Sequence, residues 1–251
     1  MSKTIKILVA VLVIMLPVGL FLMLSGDTWK QYLWTTNIFL ALQAVITLIF
    51  LLSAAETKSV TITSIIILIL AFIIEYIGVK SGYPFGKYSY TNTLSPSLLG
   101  VPAAITLSWF SVSVNSFLLS KFLLFESKSV YIILVSALII LGIDFLLEPF
   151  ASAVNGYWIW GGGVIPFQNY LSWFIAGLLF SYILNRLVIW NRTVFENINF
   201  ITIPAILILV NILQFAVVNV VSGHILITLI GLALISACVL LSIKFREKDE
   251  E

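Results

Sequence analysis

Apolar runs of about twenty residues, the length of a helix that crosses a hydrocarbon core, alternate along the chain with short polar or Gly- and Pro-bearing segments. Eight such runs stand out, at 5 to 25, 37 to 55, 60 to 79, 99 to 120, 130 to 148, 168 to 189, 201 to 221 and 224 to 243. Only the tight "SGH" turn separates the last two. The pattern predicts an all-α, polytopic membrane bundle of eight helices, with residues 1 to 251 as a single transmembrane domain and no room left for a soluble one. The first run follows Lys3 and Lys6 as a signal peptide would. Its exit, "LMLSGDTW", is a poor small-x-small cleavage site and the run is too long, so it is expected to stay as helix one.

Composition agrees with lipid burial. Hydrophobic residues make up 61% and charged residues 10%, against about 25% charged in soluble domains. A net charge of +2 gives no reason to expect a nucleic-acid partner, and the lone Cys238, in the last apolar run, can form neither an internal disulfide nor a cysteine metal cluster. His224 is the only histidine, which argues against Ser-His-Asp chemistry and a zinc site. No metal or redox cofactor is expected. With eight spans, Lys3, Lys6, Lys58, Lys121, Lys128, Arg186, Arg192, Lys244, Arg246 and Lys248 fall on the side of the termini, and Lys30, Lys80 and Lys87 on the other. The excess of basic residues predicts a multi-pass protein of the cell membrane with both termini cytoplasmic.

Two long connections, 80 to 97 and 149 to 166, then share the opposite side, and both are rich in Gly and aromatics. They belong to an internal repeat. "VPAAITLSW" (101 to 109) matches "IPFQNYLSW" (165 to 173), each preceded by an aromatic loop, "GYPFGKYSY" or "GYWIWGGG", and by a helix ending in acid. Helices three and four would therefore correspond to helices five and six as a parallel repeat, with Pro102 and Pro166 near the first turns of their helices.

The acids are the chemical feature. At 1.5 Å per residue, Glu75 and Asp144 should each lie roughly 21–22 Å from the N-terminal-side start of their helices, at one level. Glu148 is one turn beyond Asp144 on the same helix face, and Pro149 should end that helix at once. No cation lies in any helix at that depth. A carboxylate in hydrocarbon is costly unless paired, solvated or neutral, and burial with like-charge crowding favours the neutral form, so at least one of the three is expected to keep its proton at pH 7. An acid in an aromatic pocket suits protonation of an isoprenoid double bond to a tertiary carbocation, which Trp109, Trp173, Trp158, Trp160, Tyr83, Phe85, Tyr88 and Tyr90 would stabilise through their ring faces. A second carboxylate could then orient water or remove a proton. The polar positions Asn115, Asn211, Gln214 and Asn219 read as interhelical hydrogen bonds.

The series Glu75-x-x-Gly78-x-x-x-Gly82-x-Pro84-Phe85-Gly86-x-Tyr88-x-Tyr90, then Pro96, Pro102 and Trp109, resembles the CruF-type carotenoid hydratase family, which includes bisanhydrobacterioruberin hydratases and carotenoid 1,2-hydratases. So does Asp144-x-x-x-Glu148-Pro149, followed by Gly156-x-Trp158-x-Trp160 and Pro166-x-x-Asn169-x-x-x-Trp173. The resemblance covers 75 to 173, which would form the catalytic core. One departure is "GGGVIP", where an aromatic residue is expected before "IP". The resemblance implies cofactor-independent addition of water to the terminal C1=C2 bond of an acyclic, lycopene-like carotenoid, with other carotenoid-biosynthesis enzymes as neighbours in the bilayer. On this reading Asp144 donates the proton, Glu75 or Glu148 holds water, and Asn169 positions them. A lycopene-type cyclase sharing the first protonation, and a proton-coupled transporter, are the competing readings.

Overall fold

A computed structural model of the chain describes residues 3–25, 32, 34–125 and 127–249, without the side chains of 246–249. Eight helices carry it: α1 (Lys3–Leu24), α2 (Thr35–Ala54), α3 (Thr57–Ser81), α4 (Ala103–Leu123), α5 (Ser129–Glu148), α6 (Phe167–Leu187), α7 (Thr202–Val221) and α8 (Ile225–Asp249). All eight are long and apolar enough to cross a membrane, by length and composition. Their up-and-down order leaves both termini on one side. Lys30 lies outside the described residues, as do the side chains of Arg246 and Lys248.

Several predicted boundaries differ from the observed ones, and two of the differences have a local cause. Helix four begins at Ala103 rather than 99, because Leu99 (φ 53°) and Gly100 (φ 91°) turn a hairpin between β2 (Ser97–Leu98) and β3 (Val101–Pro102). Pro102 and Pro166 consequently sit at the N-cap, just outside their helices, in the same extended conformation (φ −66°, ψ 134° and φ −69°, ψ 142°). The α-helical part of helix five ends at Glu148, as expected, but Pro149 does not stop the helical path. Its φ of −65° and ψ of −37° are helical, and the chain continues through a π-helical turn, Pro149–Val154. Proline has no N–H to give the preceding turn, and the ladder resumes with wider spacing, the Asn155 N–H reaching the Phe150 carbonyl at 3.1 Å.

The repeat has a spatial counterpart. β1 (Tyr88–Tyr90) and β4 (Trp158–Trp160), one from each aromatic loop, pair antiparallel with Ser89 opposite Ile159 at the centre. Among the helices, α3 packs on α4 and α6, and α5 packs on α6 and α4. Exchanging α3 with α5 and α4 with α6 preserves those contacts, as an approximate two-fold along the membrane normal requires. On that axis Trp109 of α4 stacks against Trp173 of α6, ring centres 3.8 Å apart and 21° from parallel.

Lipid supplies little drive for apolar side chains to leave it, so helices in a membrane associate by close packing and a few hydrogen bonds. Both devices are present. A Cβ on Gly231 of α8 would lie 2.8 Å from the Gly142 carbonyl oxygen of α5, so these two helices touch backbone to backbone. Asn115 bonds Thr47 (2.8 Å), Asn211 exchanges two bonds with Gln43 (2.8 and 3.1 Å), and Asn219 reaches the Leu146 carbonyl (2.8 Å). Gln214 is the exception among the predicted interhelical polar residues: its only contact of this kind among the described residues is a weak one, 3.9 Å to the Met23 sulfur.

Candidate functional site

All three predicted acids are buried, Glu75 at 4%, Asp144 at 0% and Glu148 at 1% exposure. Their pairing differs from the expected one. Helix α3 starts at Thr57, earlier than the apolar run suggested, so Glu75 lies ~27 Å along it, whereas Asp144 lies ~22 Å and Glu148 ~28 Å along α5. Glu148 is therefore the level partner of Glu75, and Asp144 sits one turn deeper.

Each level acid is held by donors from its own half of the repeat. In a strand, side chains two apart share a face, so Tyr88 and Tyr90 of β1 both turn to Glu75, donating to its Oε2 at 2.6 and 2.7 Å. Trp109 Nε1 donates to Oε1 at 2.7 Å. Across the ribbon, Trp160 and Trp158 of β4 donate to Oε2 of Glu148 at 3.0 and 3.3 Å. Asn169, from the first turn of α6, spends both hydrogens of one amide nitrogen on acids: Glu148 Oε1 at 3.0 Å and Asp144 Oδ2 at 3.1 Å. Asp144 Oδ1 has no hydrogen-bond partner among the described residues. Desolvation, and secondarily the charge of Glu75, push the Tyr88 and Tyr90 phenols well above their ordinary titration range, so both stay protonated donors.

No basic group acts on the acids among the described residues; they are met by N–H and O–H groups. Three charges in so small a volume would repel strongly. A proton on Asp144 Oδ1 displaces no hydrogen bond, whereas both oxygens of Glu75 and of Glu148 already accept from donors. Among the described residues no three His, Cys, Asp or Glu side chains are disposed to hold a metal.

Glu75 and Glu148 border one cavity, with about 30 Å³ open to water centres, enough for one or two waters. Asp144 is not on its wall. Phe85, Tyr88, Tyr90, Trp109, Trp158, Trp160 and Trp173 supply the aromatic part of the lining, and Ile105, Ser108 and Leu147 the rest. Tyr83 is the one predicted aromatic that is not brought in, being 70% exposed. The loop carrying Phe85 and Tyr88 is docked on α6 through the Pro84 carbonyl, which accepts from Gln168 (2.5 Å) and Ser172 (2.8 Å). Gly86 allows that docking, because a Cβ there would lie 2.6 Å from the Pro166 ring and its φ is 115°. Sequence reasoning missed Ser108 and Ser172, although the shared Leu-Ser-Trp of the repeat contains both.

A family profile described as carotenoid biosynthesis protein matches residues 35–238. Among curated proteins, the bisanhydrobacterioruberin hydratase of Haloarcula japonica is similar, 35% identical over 124 residues that cover 45% of this chain and 42% of that protein. The chain thus matches less than half the length of that relative. No solved structure matches.

Proposed function

The chain belongs to the carotenoid biosynthesis protein family, and from that premise we propose that it adds water to the terminal C1=C2 double bond of an acyclic carotenoid, giving a tertiary 1-hydroxy end group. The observation that carries this reading is the water-sized cavity walled by two carboxyl groups and seven aromatic rings. Hydration needs an acid, a base, a water and a surface that tolerates positive charge, and needs no redox partner. Protonation at C2 puts the charge on the tertiary C1. Water bonds to C1, and the resulting oxonium gives up one proton, so the net change is one added water.

We assign delivery of the proton to Glu148 rather than to Asp144, since Glu148 borders the cavity and Asp144 stands behind it. Glu75, held by three donors, orients the water and takes the oxonium proton, which returns to Glu148 through the next water. Asp144 shares Asn169 with Glu148 and keeps the deeper acid position neutral. The ring faces of Trp109 and Trp173, with Trp158 and Trp160, stabilise the cation. Ile105 and Leu147 make no hydrogen bonds through their side chains and form the part of the wall that yields when the end group enters. On this reading residues 75 to 173 carry the reaction and the side rich in Lys and Arg faces the cytoplasm.

Expression in a lycopene-producing host tests the proposal. Pigment mass should rise by one or two waters, and Glu75→Gln and Glu148→Gln should each lower hydrated product by about 10²–10⁴-fold, the usual range for loss of a general acid or base. Asp144→Asn should lose less. Hydrated pigment at the parent level from Glu148→Gln would overturn its assignment, and no mass gain with the parent protein would overturn the hydration reading itself.

A further inference from the structure

A second cavity adjoins the first, with about 40 Å³ open to water centres, between α2, α7 and the π-helical turn. The two share a wall made by Ile105, Ser108, Leu147 and Trp158. The second chamber has no acid. Apart from Ser108 on the shared wall, its polar lining is Thr36, Tyr157, Asn211 and Gln214. Thr36 and Tyr157 share a hydrogen bond at 2.8 Å and Asn211 is occupied by Gln43. Gln214 is different. It is only 7% exposed, its Oε1 has no partner among the described residues, and its Nε2 has only the Met23 sulfur at 3.9 Å. Buried amide oxygens are seldom left bare in folded proteins, and ordered water is the usual remedy where a polar chamber has room for it. Ser108, half-buried on the shared wall, lines both cavities.

We propose that the second cavity is a water antechamber, in which Gln214 holds a water and Ser108 hands it through the shared wall to the cavity of Glu75 and Glu148. Both are positioning residues, and the inference rests on the hydration reading. Its consequence is kinetic. Once C2 is protonated, the cation either bonds water or loses a proton, and the second route returns an alkene of unchanged formula. Water supply therefore governs how the cation is divided between two products.

Incubation in D₂O buffer of membranes that carry the protein and lycopene made beforehand in ordinary water exposes that division, because the return route leaves deuterium in unhydrated pigment. Gln214→Leu and Ser108→Ala should each lower the ratio of hydrated to deuterated, unhydrated pigment by about fivefold or more, the effect of roughly one hydrogen bond. Gln214→Asn, which keeps the amide, should restore part of it. Deuterated unhydrated pigment itself reports folded, proton-delivering enzyme. An unchanged ratio in both variants overturns the antechamber. So does a parallel fall of hydrated and deuterated pigment in Gln214→Leu, the outcome expected if the chamber holds the polyene. A parent protein that adds no water while still exchanging deuterium rejects the hydration reading instead.

Discussion

Asn169→Leu isolates what one amide does for two buried acids. The side chain gives one hydrogen to Glu148 at 3.0 Å and the other to Asp144 at 3.1 Å, and all three residues are at most 1% exposed. Leucine fills much the same space, so the cavity contribution is small. A hydrogen bond to a charged acceptor is worth about 1.5–3 kcal/mol and one to a neutral acceptor about 0.5–1.5 kcal/mol. With Glu148 holding the proton it delivers and Asp144 neutral, both bonds are of the second kind and the variant should lose about 1–3 kcal/mol. At about 2–4 °C per kcal/mol for a chain of this length, the midpoint should fall by roughly 2–12 °C. Tryptophan fluorescence during heating in detergent measures it. Hydrated pigment should fall as well, because Glu148 loses the contact that fixes Oε1. A midpoint within about 2 °C of the parent, with hydrated pigment undiminished, would show that neither acid depends on Asn169.

Two further outcomes test the packing and the phenols. Gly231→Ala drives a Cβ to 2.8 Å from the Gly142 carbonyl and should cost about 1–3 kcal/mol as α5 and α8 separate; Gly19→Ala, with nothing within 4 Å, should leave the midpoint unchanged, and equal shifts in both would refute the close approach. Tyr88, Tyr90 and Tyr157 are all pushed up by desolvation. The folded chain therefore holds more protons than the unfolded one above about pH 10, and stability is complete below that pH and declines as pH rises past it. Tyrosinate absorbance at alkaline pH should be lower in the native protein than in the denatured chain by at least the share of these three, and equal absorbance would contradict their burial.

The helices were legible because a bilayer demands about twenty apolar residues per crossing, a constraint that leaves a strong mark in composition. Their ends were less so. A left-handed Leu99 and a π-helical turn at Pro149 depend on hydrogen-bond geometry that apolarity does not encode. That same weakness misjudged which acid stands level with Glu75, since the depth of a residue is only as good as the helix start from which it is counted. "YSY" and "WIW" were recognisable as site aromatics, but their pairing joins residues about seventy positions apart and no local pattern announces it. Asn169 was legible from its spacing to Trp173. Ser108 and Gln214 were not, because a hydroxyl or amide inside an apolar run looks the same whether it binds a neighbouring helix or faces a chamber.

The ribbon of β1 and β4 ties the fates of the two level acids together. Because β1 carries the phenols that hold Glu75 and β4 the indoles that hold Glu148, the register of the ribbon sets the spacing between the two groups of donors. A slip of that register would move one group relative to the other, like the jaws of a calliper.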